Sequence, residues 1–309
     1  MTVCPVGGEL FMPELPAPAP LAGLIDLHVH TTASDGALPP AQVVEMAHAL
    51  GLEAVAITDH DCLDGIAEAM QAGARLAQEV IPGCELAADT PYGEMHIVGL
   101  WTLPGNPELD ALLAMQQQMR ECRYREILLA LDRVGMPLSE DELLAEAGAG
   151  RSIGRPHIAR AMVRKGYVRS VADAFRLYLS PGKAGYVERR LLKPEEILQI
   201  VKKSGATTIF AHPMSLPAPP EWIRKEAARL CSLGLLDGIE AYHPEHDRKK
   251  IQYVEKLASE LDLLLSGGSD FHGAVKPAIE LGVGHGQLRV PVELLLQIKK
   301  HRKQAGLAV

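Results

Sequence analysis

Histidines and carboxylates stand at short, regular spacings near the start of the sequence. Residues 26–30 read Asp-Leu-His-Val-His, so Asp26, His28 and His30 alternate with two apolar residues. In a β-strand, alternate side chains point to the same face, and both imidazoles would project together. Imidazole is a common protein ligand of divalent transition metals. The spacing therefore predicts a cation-binding strand, with Asp26 orienting an imidazole from behind.

Histidines and acidic residues also stand in or at the end of other apolar runs of the sequence. They are Asp59-His60-Asp61, Glu85, His96, His212, His243 and Asp270-Phe271-His272. An unpaired imidazole or carboxylate at the end of a buried strand is costly, which favours a bound cation. Taken singly, some have ordinary alternatives: Asp35 suits a turn, His60 a helix start and His96 a solvated strand edge. The set as a whole favours a metal site.

Strands and helices alternate along most of the chain. Near-continuous apolar strands between amphipathic helices are typical of a parallel α/β sheet or barrel, whose ligands lie at the carboxyl ends of the strands. The strands are predicted at 24–30, 54–60, 80–86, 94–101, 206–213, 236–244 and 261–272, and the main helices at 40–51, 64–80, 193–205 and 246–262. All the candidate residues would then meet at one rim.

Two segments depart from this alternation. Residues 1–22 are rich in proline, glycine and alanine and are predicted to be a flexible lead-in. Residues 103–190 have helical patterns, at 107–135 and 156–166, with no strand-like run before 185–190. We therefore expect a barrel formed by 23–102 and 191–309, with 103–190 as an inserted helical subdomain that binds substrate.

Composition and charge narrow the class of protein. The 309 residues are 47% hydrophobic and 23% charged, with a net charge of −8, which indicates a folded enzyme. An acidic chain is a poor non-specific binder of nucleic acid, so no stable duplex binding is expected. No apolar run reaches the roughly 18 residues of a membrane span.

Five cysteines without a CxxC pair indicate reduced thiols and a cytoplasmic location. No obligate protein partner is evident.

Five motifs, taken in order, resemble the PHP (polymerase and histidinol phosphatase) family of metal-dependent phosphoesterases. They are IDLHVHTTASDG, AITDHD, IPGCE, AHP and GGSDFH, within residues 24 to 272. The resemblance implies a distorted (β/α)7 TIM-like barrel that binds two or three divalent cations, Mn²⁺ first and Zn²⁺ or Fe²⁺ as alternatives. It assigns His28, His30, Glu85 and Asp270 to the first cation, Glu85, His96 and His212 to the second, and Asp35, His60 and His272 to a third.

The inserted segment carries a second pattern. GRPHIA (154–159), shortly after Arg151, and GKAGYV (182–187) resemble the bacterial branch that includes a 3′,5′-nucleotide bisphosphate phosphatase and 5′→3′ exoribonuclease. Independently of this resemblance, Arg151, Arg155, His157 and Lys183 are basic residues near a helix start, where guanidinium and free N–H groups bind phosphate. We predict that they contact substrate; the alternative is a solvated basic face.

Together these features predict a metal-dependent phosphatase that acts on a nucleotide. Its substrate would be the 3′-phosphate of a 3′,5′-bisphosphate nucleotide, the 5′ end of a short RNA, or both. Asp35, His60, His243 and His272 are the candidate catalytic groups that move protons, and His243 is also a candidate substrate contact. The alternatives are a small-metabolite phosphatase, such as one for histidinol phosphate, and a non-catalytic metal-binding interaction module.

Overall fold

Seven strands form one sheet in sequence order, and the sheet curves into a nearly closed barrel. The computed structural model describes residues 21–147 and 153–309. The strands are β1 (Ile25–Val29), β2 (Ala54–Ile57), β3 (Glu79–Thr90), β4 (Gly93–Leu100), β5 (Thr207–Phe210), β6 (Gly238–Tyr242) and β7 (Leu264–Gly267). The segment after β7 returns to β1, where the His30 N–H donates to the Phe271 carbonyl at 2.9 Å.

Helices surround this sheet and fill the long connection between β4 and β5. They are α1 (Pro40–Leu50), α2 (Ile66–Leu76), α3 (Pro107–Asp132), α4 (Glu140–Ala147), α5 (Arg155–Arg164), α6 (Val171–Ala174), α7 (Pro194–Lys203), α8 (Pro220–Ser232), α9 (Arg248–Leu261) and α10 (Val292–Gln304). The predicted α/β class and barrel are confirmed. Among the described helices, none has both the length and the apolar character to span a bilayer.

The prediction of a purely parallel sheet is wrong for β4. Strands β1 to β3 are parallel to one another, as are β5 to β7, but β4 runs antiparallel to both β3 and β5. Only Pro91 and Tyr92 separate β3 from β4. A connection of two residues can join only antiparallel strands, because a parallel pair needs a long crossover. The alternation of strand and helix therefore breaks at this hairpin.

Several predicted boundaries also differ from the structure: β3, predicted at 80–86, continues to Thr90, and β7, predicted at 261–272, spans Leu264–Gly267. The helix predicted at 64–80 ends at Leu76, because Ala77 is left-handed with φ of 56° and β3 begins two residues later. The strand-like run 185–190 is irregular. Its Val187 carbonyl accepts a hydrogen bond from Arg123 Nε at 2.9 Å, so a side chain takes the place of a neighbouring strand. The predicted lead-in lies outside the described residues except for Leu21 and Ala22.

The alternation along β1 separates an apolar face from a polar one. Ile25 and Leu27 pack into a cluster with α10, whereas the residues between and after them carry the candidate ligands. The second half of α3 packs with α5 in a separate apolar cluster, which includes Ile127, Leu131 and Ile158. The first half of α3 and α7 instead pack on the core around the sheet, through residues such as Leu109 and Ile197.

Candidate metal centre and adjoining cleft

Glu85, on β3, lies at the centre of the predicted ligands. It is buried, and its carboxylate oxygens lie within 3.3 Å of nitrogens of five histidines. These are His28 Nε2 (3.3 Å), His30 Nε2 (3.2 Å), His60 Nδ1 (3.1 Å), His96 Nδ1 (2.8 Å) and His212 Nε2 (3.0 Å). They come from β1, β4 and the segments after β2 and β5. The strand ends therefore converge as the sequence predicts.

The other predicted ligands border the same group. Asp270 Oδ1 lies 3.3 Å from His30 Nε2, and Asp35 Oδ1 lies 3.3 Å from His272 Nε2. Three subsets have ligand atoms within 4.8 Å of one another: His30, Asp35, His60 and His272; His28, His30 and Asp270; and His28, Glu85 and His212. All nine residues predicted as metal ligands thus lie in one cluster, which we call the histidine–carboxylate group.

Unpaired imidazole nitrogens indicate that this group suits divalent cations. In the described part of the chain, several buried nitrogens have no hydrogen-bond partner: His28 Nε2, both nitrogens of His30, His60 Nδ1 and His96 Nδ1. Buried polar atoms are nearly always satisfied, and the exceptions need an explanation. Imidazole and carboxylate ligands together are compatible with Mn²⁺, Zn²⁺ and Fe²⁺. The residues present therefore fit divalent cations of this kind.

The charges of the group also favour cation binding. Burial by itself raises the pKa of Glu85, but the imidazoles of His96, His60 and His28 outweigh it and hold the pKa well below the usual range. Burial lowers the pKa of His60 to about 3, so its imidazole is neutral. A cation binds ionised carboxylates and neutral imidazoles, and these two residues are in those states. Burial lowers the pKa of His30, but Asp270 and Glu85 outweigh it and raise the pKa to about 9, so a cation would displace a proton from that ring.

Backbone strain accompanies the ligand-bearing loops. His212, Asp270 and Asp61 are non-glycine residues with positive φ, at 26°, 53° and 54°. Such conformations cost on the order of 1–3 kcal/mol each and cluster at functional sites. In this chain they direct His212 and Asp270 toward the other predicted ligands and Asp61 toward Arg120 and Arg189.

The predicted role of Asp26 is wrong. Its carboxylate accepts backbone N–H groups of Ser269 (2.8 Å), Gly282 (2.8 Å) and His28 (3.3 Å), so it ties loops to β1 instead of orienting an imidazole. The Nδ1 atom of His28 faces Glu240 on β6, at 3.2 Å. The sequence carried a signal for Glu240, an acid inside the apolar strand IEAY, but no spacing links β6 to β1.

Two further histidines differ in where their protons lie. His243 Nδ1 accepts the Glu245 N–H at 3.2 Å, so the neutral ring carries its proton on Nε2, which lies 3.7 Å from Asp270 Oδ2. His272 Nδ1 lies 2.7 Å from the Asp270 carbonyl oxygen, which places its proton on Nδ1 and leaves the Nε2 lone pair facing Asp35. His272 therefore presents a ligand atom, whereas His243 presents a proton.

A cleft of about 660 Å³ adjoins the histidine–carboxylate group. His60, His96, His212 and His272 line it together with four arginines, Arg120, Arg123, Arg155 and Arg189, which we call the arginine cluster. Its volume is in the range of small-molecule sites. A single cleft thus borders both groups of residues.

The arginine cluster has an excess of positive charge. Asp61 Oδ2 accepts from Nη2 of Arg120 (2.7 Å) and of Arg189 (2.6 Å), and Glu94 Oε1 accepts from Arg123 Nη1 at 2.8 Å. Two carboxylates therefore face four guanidinium groups. Arg123 Nη2 and Arg189 Nε are buried and have no hydrogen-bond partner among the described residues. Such donors indicate an anion site.

The sequence matches a known protein family and several of its characterised members. The family model described as the PHP domain matches residues 26–203. The chain belongs to the PHP family. It is 35% identical over 247 residues to the 5′-3′ exoribonuclease of Haemophilus influenzae (80% of this chain, 89% of that protein). It is 32% identical over 258 residues to the 3′,5′-nucleoside bisphosphate phosphatase of Chromobacterium violaceum (84% and 90%).

A solved structure supports the same conclusion. A protein from Bifidobacterium adolescentis that carries the name of a metal-dependent phosphoesterase superposes with a TM-score of 0.80 at 29% identity, over 93% of this chain and 97% of that one. The PHP fold and the enzyme class predicted from the sequence are confirmed. The chain is a metal-dependent phosphoesterase of the PHP family.

The residues predicted to contact substrate lie in different places in this PHP enzyme. Arg155 lines the cleft. His157 is buried, and its Nδ1 accepts the Gly154 N–H at 2.9 Å, which caps α5. Lys183 is exposed and does not itself line the cleft, although Pro181 and Tyr186 near it do, and Arg151 lies outside the described residues. Sequence reasoning missed Arg120, Arg123 and Arg189, together with Lys276, whose Nζ lies 2.6 Å from Asp270 Oδ2.

Proposed function

We propose that this enzyme hydrolyses a phosphate ester of a nucleotide that carries two phosphate groups. The substrates are a 3′,5′-bisphosphate nucleotide, which loses its 3′-phosphate, and the 5′-phosphorylated end of a short RNA. The observation that carries the proposal is the single cleft bordered by the histidine–carboxylate group and the arginine cluster. The phosphate to be cleaved would lie at the histidine–carboxylate group, and the second phosphate would lie at the arginine cluster. The two named relatives act on substrates of this class.

The histidine–carboxylate group would hold the cations. His28, His30, Glu85 and Asp270 form one set of ligands, Glu85, His96 and His212 a second, and Asp35, His60 and His272 a third. Bound divalent cations would supply activated water near neutral pH and neutralise charge on the reacting phosphate. The number and identity of the cations belong to this proposal, with Mn²⁺ preferred.

Side chains of the enzyme would orient the substrate and act on the leaving oxygen. Guanidinium groups form paired hydrogen bonds with phosphate oxygens, so Arg155, whose side chain is 30% exposed in the cleft, would grip the second phosphate, with Arg123 and Arg189 beside it. That grip holds the ester to be cleaved at the opposite end of the cleft. Among the candidate proton donors, we assign to His243 a hydrogen bond from its Nε2–H to the leaving oxygen; transfer of that proton requires the imidazolium form, because a neutral ring does not give up its only N–H proton near neutral pH. His60 and His272 then act as ligands with Asp35.

A substrate comparison tests the nucleotide assignment. Arg155→Ala removes a cation whose side chain is 30% exposed, so the fold should tolerate the change. We expect kcat/KM for adenosine 3′,5′-bisphosphate to fall about ten- to a hundredfold, the scale of a hydrogen bond to a charged group, while p-nitrophenyl phosphate hydrolysis changes little. Arg176→Ala is the control, since this arginine is 67% exposed and its one ion pair within 21–147 and 153–309 is with Asp173.

The other outcomes decide between the alternatives. An equal loss on both substrates would place Arg155 at the reacting phosphate and contradict the two-phosphate arrangement. Faster turnover of histidinol phosphate than of the bisphosphate nucleotide would favour a small-metabolite phosphatase. Absence of turnover on all three substrates by the Mn²⁺-loaded protein would favour a metal-binding interaction module.

A further inference from the structure

The buried carboxylate of Glu240 contacts two residues of the histidine–carboxylate group at once. Its Oε1 lies 3.2 Å and its Oε2 3.3 Å from His28 Nδ1. Its Oε2 also accepts the backbone N–H of His212 at 2.7 Å. Glu240 is 2% exposed and lies on β6, between β5, which ends just before His212, and β7. One side chain thus connects two strand ends that are far apart in sequence.

The contact with His28 determines which nitrogen of its ring is protonated. A carboxylate is only an acceptor when ionised, so Nδ1 must donate and carry the proton. The Nε2 lone pair is then free and faces Glu85 Oε1 at 3.3 Å, and this Nε2 is among the buried nitrogens without a hydrogen-bond partner. Glu240 therefore holds His28 in the tautomer that offers Nε2 to a cation.

The contact with His212 holds a strained backbone in place. His212 has φ of 26° and ψ of 56°, a conformation that a non-glycine residue adopts only when surrounding contacts enforce it. The hydrogen bond from its N–H to Glu240 is such a contact. It keeps His212 Nε2 at 3.0 Å from Glu85.

We propose that Glu240 is the positioning residue of the metal centre, which fixes the tautomer of His28 and the backbone of His212 for cation binding. Both carboxylate oxygens act as acceptors in this arrangement. In Glu240→Gln the amide oxygen could accept both N–H groups only from the Oε2 position, and the NH₂ group at the Oε1 position would then face the His28 Nδ1–H at 3.2 Å, donor against donor. Either His28 changes tautomer and turns an N–H toward Glu85, or the His212 N–H loses its acceptor.

The first experiment measures cation affinity without any substrate. Glu240→Gln should weaken Co²⁺ and Mn²⁺ binding about ten- to a hundredfold in competition with a chelating dye, the usual effect of removing a partner of a metal-bound histidine. Asp237→Asn is the matched control. Asp237 accepts the Thr208 N–H at 3.0 Å at the opposite end of the β5–β6 pair, away from the imidazoles. Its loss should lower the melting temperature and leave cation affinity within twofold.

The second experiment does not depend on a variant that folds. In metal-free wild-type protein labelled with ¹⁵N-histidine, the His28 signals, assigned with His28→Asn, should show the proton on Nδ1. An unprotonated Nδ1 would overturn the proposal, as would unchanged cation affinity in Glu240→Gln. The inference relies on the proposed function only in taking the histidine–carboxylate group as the cation site. A failure of the nucleotide assignment alone would leave both measurements unaffected.

Discussion

The histidine–carboxylate group and the arginine cluster border the same cleft but are built in different ways. The first is formed by strand ends of one hydrogen-bonded sheet, whose register fixes His28, Glu85 and His96 relative to one another. The second draws on α3, α5 and the irregular segment 185–190, which pack largely on a separate apolar core, although the first half of α3 also packs on the core around the sheet. The predicted metal ligands thus rest on the sheet, whereas the arginine cluster rests mainly on the helical segment.

The two regions also carry opposite charge. The first collects three carboxylates among imidazoles, and the second has four guanidinium groups facing Asp61 and Glu94. A protein of net charge −8 can thus attract a cation to one end of the cleft and a phosphate to the other. Local arrangement, and not bulk charge, sets what the cleft attracts.

Chelation should produce the largest effect and separate the metal centre from the fold. Removing divalent cations should reduce phosphatase activity to background, because the ligands then face only one another. The cooperative thermal unfolding transition should persist, since a core of this size forms without metal. Activity is measured with p-nitrophenyl phosphate before and after dialysis against chelator, with Mn²⁺ added back. Full activity in protein verified to be metal-free would contradict the mechanism.

Glu85→Gln should have the next largest effect. The amide is neutral and offers one acceptor oxygen where five imidazoles face a carboxylate. We expect kcat to fall about 10²- to 10³-fold, the loss typical for a charge that stabilises the transition state, together with lower metal content. Glu79→Gln, at the other end of β3 and paired with Lys299, is the control and should retain both. Normal metal content and turnover in Glu85→Gln would exclude a central role.

Leu131→Ala tests whether the two regions are independent. Leu131 is fully buried in the apolar core of the helical segment, so the free energy of unfolding of that segment should fall by about 2–5 kcal/mol. KM for the bisphosphate nucleotide should rise several-fold as the arginine cluster loosens, while Mn²⁺ affinity remains unchanged. Leu129→Ala, 59% exposed on the same helix, should alter neither. A parallel loss of Mn²⁺ affinity in Leu131→Ala would show that the regions share one scaffold.

The sequence by itself determined the strand-borne part of this protein. Period-two spacing placed His28 and His30 on one face at β1, and apolar runs that end in acids or histidines located His212 and Asp270 after β5 and β7, whereas Glu85 lies within β3, which continues to Thr90. These inferences succeed because a strand transmits side-chain direction through local geometry alone. The antiparallel β4 was not anticipated, although the short Pro91–Tyr92 connection requires it.

Only the tertiary structure decided which distant residues meet. Arg120 and Arg189 are joined through Asp61, and Glu240 takes the role predicted for Asp26. Neither result follows from spacing, because helix packing and strand order, not local periodicity, set these distances. The tautomer of His28 also depends on the tertiary structure. A carboxylate on β6 determines it, and that carboxylate reaches β1 only once the sheet has curved into a barrel.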